Sequence, residues 1–561
     1  MQIKFFLIIS FTIWGFKLQA NDSIRYFFVY FKDKQNTEYS LNKPEKYLSY
    51  KAVEKRNKLN IKIDSSDLPV SKDYIKSLAR FGFIKIINQS KWLNGVHIST
   101  KESKFKKEHI EALTFVKSVI YLATEKVKEE NKKPEFGPPS NPEATNNYNI
   151  SESNQNYWGK AHNQNNLINA IFPNKMLLNY TIAIFDAGFS KAYQTKGMQG
   201  LYSNAIIQDF VDYDNSVWED DRHGANCLSF MRSNSPNQYV GTAPFANYVL
   251  IRTENAALEN LNEEINWLLA AEFCDSLGVD LISSSLGYTA FDDINTNHTY
   301  SDLDGKTTII AKAADFAFKK GIVVVNSAGN EGNGKWHKIG SPADAENVIT
   351  IGSVDMNGFH SKFSSYGPSY DGRIKPNFVS MGQNAIVNSP GGNYAGNGTS
   401  YSTPIFAGAF ANYMAINPNL PYNTIKKALE ESSTHYFCPD SAYGFGIPDF
   451  VLANKILNPE NQVIDYLHSK TDPVFFQDLN IHFKSAHNQN FDLMLYYKSK
   501  GKLKLITKIE VYLTKDAWFH NADLLKTYNS MTPKKLKKTD ALVYILVSKD
   551  ITIQKIIPII K

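Results

Sequence analysis

The stretch Gly398-Thr399-Ser400-Tyr401-Ser402-Thr403-Pro404 decides the reading of this chain, because two shorter stretches upstream complete it. Phe185-Asp186-Ala187-Gly188 follows the apolar run Thr181-Ile182-Ala183-Ile184, and Asp221-Arg222-His223-Gly224 comes next. A serine hydroxyl is a poor nucleophile until a base takes its proton, and imidazole is the natural base near neutral pH. Gly398-Thr399 turns into an apolar helix containing Ile405, Phe406, Ala409 and Phe410, so Ser400 stands where the helix dipole favours developing oxyanion charge. Pro404 is expected in the first turn of that helix, where a missing N–H is tolerated. His223 opens a second helix, 224–231, from which its ring can project toward Ser400. Asp186 ends a buried strand, where a carboxylate can orient the imidazole and stabilise its cation. One Asp-x-Gly or His-Gly pair is usually a turn; three such sites in one order, each at an element end, point to an enzyme.

The order Asp, His, Ser and these flanks resemble the subtilisin family of serine proteases, the subtilases. The resemblance implies a serine endopeptidase with Ser400 as nucleophile, His223 as general base and Asp186 as its partner. Val323-Val324-Val325-Asn326-Ser327-Ala328-Gly329-Asn330 is a strand followed by Ala-Gly-Asn, again as in subtilases. It implies Asn330 as oxyanion donor beside the Ser400 backbone N–H, a contribution of about 3–4 kcal/mol in related enzymes. Ser283-Ser284-Ser285-Leu286-Gly287 resembles the edge strand against which subtilases pair an extended peptide. Gly340-Ser341-Pro342-Ala343 resembles the floor of the pocket for the residue before the cut, and its small residues imply room for a large apolar or aromatic side chain. Glu331 is expected at the rim, where it would help accept a basic group.

Some positions depart from the family pattern. Ala225 replaces the usual threonine after His-Gly, Ser229 the second glycine of that helix, and Asn377 stands where aspartate is common. None removes a catalytic atom. Cys227, four residues after His223, is similar in position to the cysteine of the thiol-bearing subtilases; its plainer role is a small core hydrophobe. No cofactor is implied for the chemistry. Subtilases often bind structural calcium, for which Asp212 and Asp214 are the candidate ligands, although no complete calcium loop is present.

At 561 residues the chain is too long for one core. With 43% hydrophobic and 21% charged residues it is globular in composition. The formal charge of +6 is small for this length, and its lysines are scattered apart from a cluster at 534–538, so no nucleic-acid partner is expected. Lys4, the apolar run 5–14 and the small residue Ala20 read as a signal peptide over 1–20, too short to span a bilayer. A secreted or cell-surface protein follows, with no integral membrane segment in the mature chain. Three cysteines, Cys227, Cys274 and Cys438, exclude a disulfide framework.

Residues 21–125 alternate strand and helix signals and, with Tyr47-Leu48-Ser49, Asp67-Leu68-Pro69-Val70 and Ser90-Lys91-Trp92-Leu93-Asn94, resemble the propeptide of Bacteroidetes-like subtilases. The resemblance implies a zymogen whose own propeptide is an inhibitor and folding aid; a permanent accessory domain is the alternative. Residues 126–156, rich in Lys, Glu, Pro and Asn, form a linker with the expected processing site. Residues 157–458 alternate strands (181–185, 248–253, 281–284, 322–326, 348–354) and helices, the signature of an α/β fold. The expected fold is a subtilisin-like parallel sheet with helices on both faces, preceded by the small α/β domain. Residues 459–561 suggest a small β-rich domain of unknown role. The expected partners are polypeptide substrates and the chain's own propeptide, and the expected state is a monomer. A silent binding protein on the same fold would lack a triad or oxyanion residue, and a lipase would show Gly-x-Ser-x-Gly and the order Ser, Asp, His. Neither pattern is found.

Overall fold

A computed structural model of the chain describes residues 23–126 except 104, residues 157–458 except 219, 220 and 437, and the strands between 463 and 558. The expected signal peptide, the linker beyond Lys126 and the lysine cluster lie outside the described residues. The chain divides into two compact units: residues 1–38 with 70–133, and residues 39–69 with 134–561. The single N-terminal unit expected over 21–125 is thereby corrected, because residues 39–69 join the larger unit.

The smaller unit is a four-stranded antiparallel sheet in the order Lys85–Ser90, Gly95–Thr100, Ser23–Phe31, Val116–Lys126. Phe27, Val29 and Phe31 alternate onto one face, as strand geometry requires, and meet Val96, Ile98 and Val119 in one core. Leu78, from the helix Lys72–Ala79, closes that core.

The larger unit begins with helix α1, Tyr50–Leu59, whose N-cap Ser49 accepts a hydrogen bond from Ala52 N. Its centre is a seven-stranded sheet of β1 (Thr181–Asp186), β2 (Ile206–Asp209), β3 (Asn247–Arg252), β4 (Leu281–Ser284), β5 (Val323–Ser327), β6 (Ile349–Val354) and β7 (Phe378–Met381). The order is β7-β6-β5-β4-β1-β3-β2, with every pairing parallel. β4 to β7 are buried at every residue, which explains their unbroken apolar and small-residue runs. Helices α2 (His223–Arg232), α3 (Asn262–Leu277), α4 (Ile309–Lys319) and α5 (Thr399–Ile416) follow in the chain. Sixteen of the eighteen residues of α5 are buried, so this helix is enclosed rather than amphipathic.

From β1 the chain moves to β2 and β3 on one side of the sheet, then crosses to β4 on the other. That reversal between β1 and β4 opens a crevice at the carboxyl ends of the strands, the usual place for a site in such sheets. The described tail strands form a three-stranded and a four-stranded antiparallel sheet, in keeping with a β-rich reading of that region. No helix among the described residues is long and apolar enough to cross a membrane.

Candidate active site

Asp186 is the last residue of β1, is fully buried, and lies at the crevice. His223, the first residue of α2, brings Nδ1 to 2.8 and 3.0 Å from the two Asp186 carboxylate oxygens. The helix start is held by its own backbone, with His223 N donating to Asp221 Oδ1 at 2.6 Å. Gly224 makes the approach sterically feasible. A Cβ there would stand 2.8 Å from Asp186 Cβ and 2.5 Å from the Gly188 carbonyl oxygen.

The Asp186 carboxylate raises the His223 pKa well above its ordinary 6.5 by favouring the imidazolium. The imidazole is 34% exposed, so solvent retains access to the ring. Cys227, one turn along α2, lies with Sγ 3.9 Å from His223 Nδ1. Burial pushes its thiol pKa up, so the sulfur is a neutral thiol while His223 titrates, and Asp186 carries the shift.

Ser400 is the second residue of α5 and is 8% exposed. Its Oγ donates to the Ser285 carbonyl at 3.3 Å in this conformation. Ser285 Oγ and Cys227 Sγ in turn donate to the Ser400 carbonyl, at 3.0 and 3.3 Å. Pro404 explains this pair. The helix begins at Thr399, so Pro404 is its sixth residue and not in the first turn as expected. Its missing N–H removes the partner of the Ser400 carbonyl, and the two side chains replace it.

Asn330, in the loop after β5, accepts from Thr399 N at 2.9 Å and Thr399 Oγ1 at 3.0 Å through Oδ1. With the oxygen fixed, the orientation of the Nδ2 donor is fixed too. A Cβ on Gly398 would lie 3.6 Å from Ser400 N and 3.9 Å from Asn330 Nδ2. Glycine thus keeps clear a space that both donors border. An arrangement of this kind can move a proton from a hydroxyl to an imidazole and can hold a developing oxyanion.

The residues expected to bind substrate divide. Ser283 belongs to β4, pairs with Val325 on one side and Ile184 on the other, and is 1% exposed. It is not on an edge strand, a correction that follows from β4 being central in the sheet. Ser285, Leu286 and Gly287 run on past the ladder, and Gly287 is exposed. The Leu286 carbonyl is held by Asn326 Nδ2 at 2.9 Å and Ser327 Oγ at 3.3 Å. Tyr288, next in the chain, exchanges backbone hydrogen bonds of 2.8 and 3.1 Å with Ser341. That ladder sets Gly340 against Tyr288, with 3.4 Å left for a Cβ. Glu331 is exposed, and its carboxylate lies over Gly334 in its own loop.

Asp209, Asp212 and Asp214 bring carboxylate oxygens within 4.8 Å of one another. The Arg252 guanidinium lies 3.3 Å from Asp209 and 2.7 Å from Asp212, so a protein cation already meets two of the three. This donor set does not fit the calcium site for which Asp212 and Asp214 were the candidates. Thr399 and the Ser285 hydroxyl were not singled out by the sequence. Their partners lie 69 and 115 residues away, and no local pattern marks such pairs.

The subtilase family profile matches residues 178–446, and a peptidase S8 propeptide domain of Bacteroidota matches residues 26–136. Serine protease AprX of Bacillus subtilis is 30% identical over 297 residues, 47% of this chain and 64% of that protein. Subtilisin NAT of Bacillus subtilis subsp. natto is 27% identical over 276 residues, 48% of this chain and 64% of that protein. The chain thus spans just under two thirds of the length of these curated relatives. A crystal structure of the epidermin leader peptide processing serine protease of Staphylococcus aureus aligns with 17% identity and a TM-score of 0.49, over 78% of this chain and 99% of that one. With Asp186, His223 and Ser400 all inside the matched segment, preceded by a matched propeptide domain, the chain belongs to the subtilase family.

Proposed function

We propose that this protein is a secreted serine endopeptidase, made as a zymogen, that hydrolyses peptide bonds through Asp186, His223, Ser400 and Asn330. The observation that carries the reading is the convergence of α2 and α5 on one sulfur. Cys227 Sγ touches both His223 Nδ1 and the Ser400 carbonyl, while His223 is bound to Asp186 on the same ring nitrogen.

In this reading an extended peptide pairs with the backbone of 285–287, and the side chain before the cut enters beside Gly340. The Ser400 hydroxyl leaves the Ser285 carbonyl and turns to His223 Nε2 as substrate enters; hydrogen bonds of this kind commonly form only in the complex. His223 takes the Ser400 proton as Oγ attacks the substrate carbonyl carbon. Asp186 holds Nδ1–H and balances the imidazolium, without taking the proton itself. The oxyanion is received by Ser400 N–H and Asn330 Nδ2. His223 then gives its proton to the leaving amine, the C–N bond breaks, and an acyl-Ser400 ester remains. Water attacks that ester with His223 again as base, releasing the acid and restoring the hydroxyl. No cofactor enters these steps. The propeptide match supports the zymogen part of the reading, and the small residues beside the pocket support an apolar or aromatic preference.

The test is hydrolysis of casein by wild type and Ser400→Ala. The rate should fall by on the order of 10⁶-fold with the fold unchanged. Equal rates would refute the assignment of the nucleophile.

A further inference from the structure

The larger unit contains a docked segment that the chemistry above does not use. Residues 39–69 fall inside the matched propeptide domain in sequence, yet they are compact with the peptidase domain. Their helix α1 meets the C-terminal ends of α3 and α4. Such helix ends leave carbonyls without helical partners and carry partial negative charge.

α1 supplies matching donors and cations. Ser49 N donates to Ser276 O at 3.0 Å, and Lys55 Nζ donates to Val279 O. Lys51 Nζ lies 2.7 Å from Thr181 Oγ1 and 3.1 Å from Asp280. At the centre, Arg56 Nη2 stands 2.7 Å from both Asp275 and Asp67, and Lys320 Nζ stands 2.9 Å from Asp67. These four side chains are no more than 3% exposed and alternate in sign: Asp275, Arg56, Asp67, Lys320. Arg56 and Asp67 come from the docked segment, Asp275 and Lys320 from the peptidase domain. Two glycines permit the contact. A Cβ on Gly278 would stand 2.8 Å from Ala52 N, and one on Gly321 would stand 2.7 Å from Leu59 Cδ1.

We infer that residues 39–69 are a latch that keeps the N-terminal region bound to the peptidase domain after the chain is cut between residues 127 and 156, with Asp275, Arg56, Asp67 and Lys320 as its core. Connectivity carries the inference. The smaller unit joins this segment covalently at 38–39 and at 69–70. While the latch is docked, the smaller unit stays attached whatever happens to the linker. The consequence for maturation rests on the zymogen reading: the first cut alone does not release the propeptide. Removing one partner of a buried pair leaves an uncompensated charge, so the core holds as a set and fails as a set.

The test uses the full chain carrying Ser400→Ala and a recognition sequence for an added site-specific protease within 140–146. After nicking, the two pieces should co-elute on gel filtration at about 1 µM. They should do so at 1 M salt as at 0.15 M, because buried pairs are little screened. Arg56→Ala in the same background should weaken retention about 100-fold or more, so that the pieces separate. Lys51→Ala, whose ammonium is half-exposed, should weaken it less than tenfold. Separation of the nicked parent at 1 µM would overturn the inference, and so would full retention in Arg56→Ala. Retention in the parent needs no variant, and Arg56→Met replaces Arg56→Ala should the latter not fold. The cut comes from an added enzyme in a chain without the serine hydroxyl. Failure here therefore leaves the peptidase reading intact, and an inactive wild type leaves the latch intact.

Discussion

Pro404 lies four residues after Ser400 and has no N–H to give it, so the Ser400 carbonyl accepts from Ser285 Oγ at 3.0 Å and Cys227 Sγ at 3.3 Å. The defect in α5 is thus repaired by the two neighbours that matter most to the proposed chemistry. One is the segment beyond β4, and the other is the helix that carries His223.

Ser285→Ala removes the better of the two donors and leaves that buried carbonyl to a thiol. Chemical denaturation should show a loss of about 1–2 kcal/mol. A change within 0.3 kcal/mol would mean that the carbonyl finds another partner.

Cys227→Val keeps the volume beneath His223 and should leave peptide hydrolysis within about threefold of wild type. A bulky mercurial should slow the wild type by displacing the imidazole and spare the variant. Equal inhibition of both would place the sensitive thiol at Cys274 or Cys438, which are also free.

Gly398→Ala puts a methyl group into the space bordered by Ser400 N and Asn330 Nδ2. Its backbone, at φ 155° and ψ 146°, is a glycine conformation, so about 1–3 kcal/mol of stability should be lost. The turnover number should fall further, on the order of 10²–10³-fold, the effect of losing an oxyanion donor. A variant that loses stability but keeps its turnover number would move the oxyanion site elsewhere.

Much of this was legible in the sequence because the chemistry sits at element ends. Asp186 closes an apolar strand, and His223 and Ser400 open helices, so short motifs fix their local geometry. Three features were not legible, each for a physical reason. β4 is central because the crossover from β3 passes over β1, and strand order is invisible in an apolar run. Pro404 is carried deeper in α5 by partners 115 and 173 residues away from Ser400 in sequence. The docking of 39–69 depends on Asp275 and Lys320, more than 200 residues downstream, whose carboxylate and ammonium look like solvated surface charge until the fold buries them.

The pH profile of kcat/KM should rise through an acid limb set by His223, because only the neutral imidazole can accept the Ser400 proton. Asp186 raises that pKa well above 6.5, so the limb should lie above the ordinary histidine range. Asp186→Asn should move it downward while lowering the rate by about 10⁴-fold. An acid limb unmoved in Asp186→Asn would assign it to another group.

Stability should follow the opposite sign. Burial pushes the Glu254 and Glu263 carboxyls above their ordinary 4.5, so the folded state binds protons that the unfolded state releases. Their contribution is fully present below about pH 4.5 and is lost as pH rises through the raised values. His223 adds to the same trend, its contribution being full below 6.5 and lost above its raised pKa. Glu254 Oε1 accepts from Tyr288 OH and from Thr253 Oγ1, and glutamine can accept both. Glu254→Gln should therefore narrow the difference in Tm between pH 5 and pH 9. A wider difference would show that Glu254 is ionised in the folded state.

The most direct measurement of the central claim is a fluorophosphonate adduct mapped by peptide mass spectrometry after removal of the N-terminal region. The account predicts one modified residue, Ser400, with labelling abolished in Ser400→Ala and slowed by orders of magnitude in His223→Ala. An adduct on any other serine, or equal labelling of Ser400→Ala, would contradict it.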